Sequence, residues 1–134
     1  MNGPIPVILI GCGAVSQLFY RPALLALAGG GTLRVAALVD PAMPARTILA
    51  AAFPDAQAAA ALAEVDAPRG SLAIVASPPA WHARNAIAAL ARGWHVLCEK
   101  PLAATSAEGE RMITAANAAE RILAVGHYKR FFPS

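Results

Sequence analysis

A doubly wound, parallel α/β sheet of six strands is the fold class this sequence predicts, and three observations predict it. Short apolar runs recur along the 134 residues, at 7–10, 34–39, 72–76, 95–98 and 122–125, with a further short strand expected near Ala56. Stretches of helical composition separate the runs, as parallel strands require. The runs are apolar throughout, without period-two alternation, as strands covered on both faces must be.

Each element has its own reason. The run 7–10 is the first strand. Residues 14–28 read as helix, but Pro22 must kink or split it, because proline removes a hydrogen bond inside a helix. Gly29, Gly30 and Gly31 end it before the second strand at 34–39. Residues 43–53 read as helix with Pro44 in the first turn, and Pro54 and Asp55 stop it. Over 56–70 the pattern is least legible, and it supports a short third strand near Ala56 and a helix over 59–65. The fourth strand, 72–76, precedes a helix over 79–92 with Ile87 and Leu90 on one face. The fifth strand covers 95–98. Ser106 caps a helix running to about Glu120, with Glu108 in its first turn where a negative charge suits the dipole. The sixth strand covers 122–125.

Composition narrows the function classes. Hydrophobic residues make up 57% and charged residues 14%, a globular composition rather than a disordered one. Alanine fills 34 positions, which favours helices and close packing. The net charge is +3, and nine arginines are spread from Arg21 to Arg130 without a basic run. That distribution describes a solvated surface, not a nucleic-acid-binding face. The uncharged stretch 1–20 is broken by Pro4, Pro6, three glycines and Gln17, which argues against a signal peptide or membrane helix. Cys12 and Cys98 fall near the ends of different strands and suggest no disulfide framework, so a reducing cytoplasm is the expected setting. No metal-ligand pattern is expected.

The chemistry starts at VILIGCGAVS, residues 7–16. Gly11 permits a tight turn off the strand, and Gly13 leaves room for a pyrophosphate to approach the backbone. The helix beginning there aims free N–H groups and its positive dipole end at phosphates. Ser16, small enough for close helix–strand packing, takes the third glycine position. Asp40 lies 24 residues beyond Ser16, at the end of LRVAALVD, where a ribose-binding acid is expected. Its carboxylate fits a free adenine-ribose diol and repels a 2′-phosphate. No arginine follows directly, so NAD is favoured over NADP; Arg46 is near enough in sequence to neutralise a phosphate. An ordinary strand–helix turn, or a methyltransferase nucleotide site, is the competing reading of the glycines.

Two further clusters fall at carboxyl ends of strands. In ASPPAWHARNAIAAL, 76–90, Ser77 and Pro78 follow the fourth strand, and His82 opens the next helix; alone, this reads as a proline-rich turn. In GWHVLCEKPLA, 93–103, Glu99 and Lys100 follow the fifth strand. Lys100 could orient or polarise a substrate hydroxyl; the alternative is a Glu–Lys surface pair of little energetic weight.

Taken together, GCGAVS, YRPALLAL, SPPAWH and above all HVLCEKPLA resemble the Gfo/Idh/MocA family of glucose–fructose oxidoreductases and inositol dehydrogenases, over nearly the whole chain. The resemblance implies an N-terminal nicotinamide-dinucleotide domain of the Rossmann type, here 1–126, followed by an α/β substrate domain. It implies hydride transfer between NAD(P) and a sugar, cyclitol or related hydroxyl compound. By position, Gly11, Gly13, Ala14 and Val15 would line the pyrophosphate and Asp40 would hold the adenine ribose. Ser77, Pro78 and His82 would lie beside the nicotinamide-ribose half. Glu99 and Lys100 would reach the nicotinamide ribose and the substrate, with Lys100 at the reaction centre. HYKRFFP, in 127–134, resembles the family's crossing into the second domain. The family's histidine and aspartate general acid/base belong to that domain, so the chain alone is expected to be inactive. The stretch 56–70 departs from the family's acidic and aromatic pattern. A stand-alone dinucleotide-binding module, a sensor or partner subunit, is the alternative. The expected partner is a small polyol or sugar, with no nucleic acid and no membrane; the oligomeric state stays open between a monomer and a homo-oligomer.

Overall fold

The first strand, β1 (Ile5–Ile10), reads IPVILI, and its last four side chains are buried. In the computed structural model, which describes residues 3–127 and 132–133, β1 lies in the middle of a six-stranded sheet of order β3-β2-β1-β4-β5-β6. The other strands are β2 (Leu33–Val39), β3 (Gln57–Ala59), β4 (Leu72–Val75), β5 (His95–Glu99) and β6 (Leu123–Gly126). Every pairing is parallel. The order reverses between β1 and β4, which opens a crevice beyond their carboxyl ends.

Among the described residues four α-helices cover the two faces: α1 (Arg21–Gly29), α2 (Met43–Ala52), α3 (His82–Ala91) and α4 (Ser106–Ala119). One core joins Val7, Leu9, Val35, Leu38 and Ile74 to Leu24 of α1 and Leu49 of α2. The other joins Ile8, Ile10, Ala37, Val39, Ala73, Val75, Val96 and Cys98 to Ala86 and Leu90 of α3 and Met112 of α4. Val35 and Ala37 would share a face in a regular strand. They do not, because the β1–β2 register slips between Val7 and Ile8 and leaves Ala36 unpaired. One extra residue in β2 thus restores the inward facing of both halves of the strand.

Several expectations are refined. The helix opens at Ala14 and passes through one π-helical turn, Ser16–Tyr20, into α1. Pro22 sits in the first turn of α1, just after the π turn. The kink is therefore absorbed by the wider turn, where the Arg21 N–H reaches the Ser16 carbonyl. The third strand begins at Gln57 rather than Ala56. The expected helix over 59–65 is absent; a single 3₁₀ turn, Leu62–Glu64, stands in its place. Its alanines carry helix propensity but too few large side chains to anchor a helix on the sheet. The cap of α4 is Thr105, whose Oγ1 accepts from the Glu108 N–H at 3.2 Å, and Ser106 is the first helical residue. Unbroken burial holds for residues 7–10 of β1 but not for β2, where Arg34 is exposed, nor for β5, whose residues alternate between partly and fully buried, nor for β6. The two cores show why: α3 and α4 cover one face of these strands, and α1 and α2 are placed over the β1–β2 side of the other. Of the expected crossing, 127–134, only His127 and residues 132–133 fall within the described residues.

Gly11 is the most closely approached of the glycines. Its φ is +98°, and a Cβ there would lie 2.5 Å from the Ser77 nitrogen and 2.6 Å from the Ala76 carbonyl carbon. Both the conformation and the contact exclude other residues. Gly11→Ala should therefore lower the unfolding free energy by about 2–4 kcal/mol, read from urea midpoints. Gly13→Ala should change it by about 0.5 kcal/mol or less, because a Cβ at Gly13 meets nothing within 4 Å.

Candidate functional site

Register brings the chemistry to one edge. Ala59, Val39, Ile10, Val75, Cys98 and Val125 are successive partners across the six strands. The residues that follow them, including Asp40, Gly11, Ala76 and Glu99, line the carboxyl edge in that order. At the spacing of neighbouring strands, Asp40 and Glu99 stand about 15 Å apart along it. Residues from all three motif clusters border one cleft of about 1470 Å³: Gly11, Gly13, Ala14, Val15, Asp40, Ser77, Pro78, His82, Glu99 and Lys100. That volume exceeds the range of drug-sized pockets and suits an elongated ligand.

The glycine turn is braced from within. The Ser16 hydroxyl, fully buried, donates to the Gly11 carbonyl, and the Gln17 side-chain amide donates to the Cys12 carbonyl at 2.9 Å. The N–H groups of Gly13, Ala14 and Val15 open the helix and have no carbonyl a turn earlier within it. Asp40 joins this turn to the next strand: its Oδ2 accepts from the Cys12 N–H and its Oδ1 from the Ala42 N–H, each at 2.8 Å. The Arg46 guanidinium donates to the Asp40 backbone carbonyl. Arg46 thus lies beside the acid, bonded to its main chain.

Beyond β4, the turn at Ser77 and Pro78 is held by α3. Asn85 donates to the Ser77 hydroxyl at 2.9 Å. His82 is 1% exposed, with Nε2 2.7 Å from the Ser77 carbonyl and Nδ1 2.7 Å from the Pro101 carbonyl. Both oxygens only accept, and a neutral ring has one N–H, so it donates to one of them while its other nitrogen faces the second. His82 borders the cleft with its ring set between the turn after β4 and the turn after β5.

At the far end, Glu99 is the last residue of β5 rather than the first after it. The Tyr20 hydroxyl donates to Glu99 Oε1, and the Lys100 N–H donates to Oε2 at 3.3 Å. Burial first, and the Glu99 carboxylate second, push the Tyr20 phenol far above its ordinary range, so it remains a donor. Among the described residues Glu99 is therefore paired with Tyr20, not with the Lys100 ammonium, which stands at the exposed rim of the cleft. Sequence reasoning missed Tyr20, Gln17 and Asn85. Tyr20 and Glu99 are 79 residues apart, and nothing local to either announces the pair.

Residues 5–127 match the family model described as an oxidoreductase family with the NAD-binding Rossmann fold. Over 80 residues the chain is 38% identical to scyllo-inositol 2-dehydrogenase (NADP(+)) IolW of Bacillus subtilis, covering 59% of this chain and 22% of that protein. It is 39% identical over 103 residues to inositol 2-dehydrogenase of Streptomyces avermitilis, covering 73% of this chain and 29% of that protein. Among solved structures, WlbA dehydrogenase of Bordetella pertussis, in complex with NADH and UDP-GlcNAcA, superposes with a TM-score of 0.83 at 27% identity, over 97% of this chain and 37% of that one. The chain thus spans well under half the length of these relatives.

Both cysteines are free and buried. Burial pushes each thiol from an ordinary value near 9 up to about 12, with Asp40 adding to the effect at Cys12 and Glu99 at Cys98. Between pH 9 and 12 the unfolded thiols ionise while the folded ones stay protonated, so stability should fall as pH rises through that window. Urea midpoints measured across it should drop less in a variant with both cysteines replaced by alanine. At pH 8 the native protein should not react with a disulfide thiol reagent, and both thiols should react once it is unfolded.

Proposed function

The chain belongs to the Gfo/Idh/MocA oxidoreductase family with the NAD-binding Rossmann fold, and from that premise we propose that its cleft binds NAD(H) as the cofactor domain of a hydride-transferring dehydrogenase. The observation that carries this reading is the shared edge. Gly13, the acid Asp40 and the neighbouring residues Glu99 and Lys100 border one cleft, along an edge of the length a dinucleotide needs. The residues fit the group. The Cβ position of Gly13 meets no atom within 4 Å, which leaves the backbone open to a pyrophosphate. Each Asp40 oxygen holds one backbone N–H, and a carboxylate oxygen has a second lone pair for a ribose hydroxyl.

In this reading the N–H groups of Gly13, Ala14 and Val15 hold the pyrophosphate, and Gly11 sets the turn. Asp40 takes the adenine-ribose diol. Ser77 and Pro78 flank the nicotinamide ribose, and His82 fixes them from behind. Glu99, oriented by Tyr20, reaches the same ribose. When bound, the nicotinamide would supply the hydride acceptor or donor. Lys100 donates a hydrogen bond to the substrate hydroxyl and holds it at the edge of β5.

The substrate class follows the relatives' names: a cyclitol, sugar or related polyol. In this reading residues 1–126 form the cofactor domain, 127–134 start a crossing, and the proton-transfer groups lie in a further domain of a longer protein. Two buried free thiols suit a reducing compartment. Asp40 favours NAD over NADP, since its carboxylate repels a 2′-phosphate.

Calorimetric titration should give tighter binding of NADH than of NADPH, and Asp40→Ala should weaken NADH about tenfold and narrow the preference. Tighter NADPH binding by the unsubstituted chain would overturn the preference and implicate Arg46. Gly13→Val should abolish binding while the circular dichroism spectrum stays native; undiminished NADH affinity would remove the basis of the reading. Residues 1–134 alone should not oxidise sugars or inositols, because proton transfer needs a group within hydrogen-bond reach of the hydroxyl. In a longer product of the same gene, Lys100→Ala should abolish turnover with cofactor binding kept.

A further inference from the structure

The connection from β3 to β4 has no helix to hold it, yet it forms one wall of the cleft. Ala60, Ala61, Leu62 and Ala63 border the cleft on the side next to Asp40. The Asp40 N–H bonds the Ala59 carbonyl at 3.1 Å, which fixes the start of this wall to the acid's own backbone. Within the loop Val65 is buried in the core and Leu62 packs against it, while the three alanines bring no large side chain. The other anchors grip main-chain atoms. Arg92, just past the end of α3, donates from Nη1 to the Leu62 carbonyl at 3.3 Å and from Nη2 to the Val65 carbonyl at 2.5 Å. Its guanidinium stacks 4.7 Å from the ring centre of Trp94. Trp94 is fully buried and donates from Nε1 to the Ala67 carbonyl at 3.4 Å. Gln57 closes the base of the loop, donating to the Glu64 carbonyl at 2.7 Å and accepting from the Asp66 N–H at 3.2 Å.

We propose that Arg92 is a positioning residue for the adenosine half of the bound cofactor. Its planar fork, seated on Trp94, holds the carbonyls of Leu62 and Val65 and so sets the distance of the 60–63 wall from Asp40. The proposal rests on the reading of the cleft as a dinucleotide site. The geometry favours arginine for a specific reason. One rigid group donates in two directions while stacking on an aromatic face, and lysine, a single point donor, does not reproduce that. Arg92 stands at the opposite end of α3 from His82. Ten residues of helix separate them, about 15 Å at the helical rise. Arg92 itself borders the cleft, and its influence does not extend to the turn beside Glu99 and Lys100.

The test uses the chain with Arg92→Met and Arg92→Lys, and the probes are AMP, which carries only the adenosine half, and NADH. In Arg92→Met, AMP and NADH affinities should fall together, about tenfold each. Arg92→Lys should fall between that variant and the unsubstituted chain. At saturating NADH the nicotinamide emission maximum should match the unsubstituted chain, and hydrogen exchange should accelerate at 60–67 alone. General destabilisation would not confine the change to one segment or to one half of the cofactor. If Arg92→Met does not fold, Arg92→Lys carries the same comparison. AMP affinity unchanged in the folded variants, or a loss of NADH affinity without a loss for AMP, overturns the role of Arg92. If the unsubstituted chain binds neither NADH nor AMP, the dinucleotide reading itself fails, and the role of Arg92 with it.

Discussion

The structure depends on how closely the turn after β1 approaches the turn after β4. At Gly11 the two backbones come so near that a single methyl group would lie 2.5 Å from a main-chain nitrogen. That proximity follows from the strand order, since β1 and β4 are neighbours whose connections leave toward opposite faces. It also forms the floor of the cleft. Were the two turns held apart, Gly13 and Ser77 would no longer border one space. Ser16 and Gln17, which bond carbonyls inside the glycine turn, keep that turn shaped without placing a side chain between the strands.

The remaining site residues are located by the same register. The unpaired residue at Ala36 keeps β2 in phase with β1 at its carboxyl end, pairing Val39 with Ile10. Asp40 therefore arrives level with Gly11 and within reach of the Cys12 N–H. On the other side, pairing of Val75 with Cys98 brings Glu99 level with Ala76. His82 and Tyr20 then act as cross-ties. One links the turns after β4 and β5, and the other links the π turn to the end of β5. Each is a single side chain set between segments that belong to different strands or to the turns after them.

What the sequence reveals about this arrangement is uneven, and the reasons are physical. The glycine turn, Asp40 and the Glu99–Lys100 pair are legible, because each needs a residue type that a generic loop does not. β1 and β4 are legible because strands buried on both faces must be apolar without interruption; β2 is legible through its apolar residues despite the exposed Arg34. The alternation in β5 is not, because burial there depends on which helices cover the sheet, a property of the whole fold. The segment 59–65 misleads most. Its alanines have the propensity of a helix, but its path is set by Val65, buried in the core, and by Arg92, Trp94 and Gln57, which bond main-chain carbonyls. Thr105 and Ser106 differ by one position and share the same capping chemistry, so only geometry separates them.

The manner in which the 60–63 wall is held has an evolutionary consequence. The bonds from Arg92 grasp peptide carbonyls, which every amino acid possesses, so at the three alanines position and side-chain identity are uncoupled. Substitutions at Ala60, Ala61 and Ala63, all exposed, alter the lining of the cleft without loosening the grip that places it. Such a segment is free to drift in sequence while its backbone stays put. Relatives can share this architecture and still diverge at the surface presented to a ligand, with no penalty to folding.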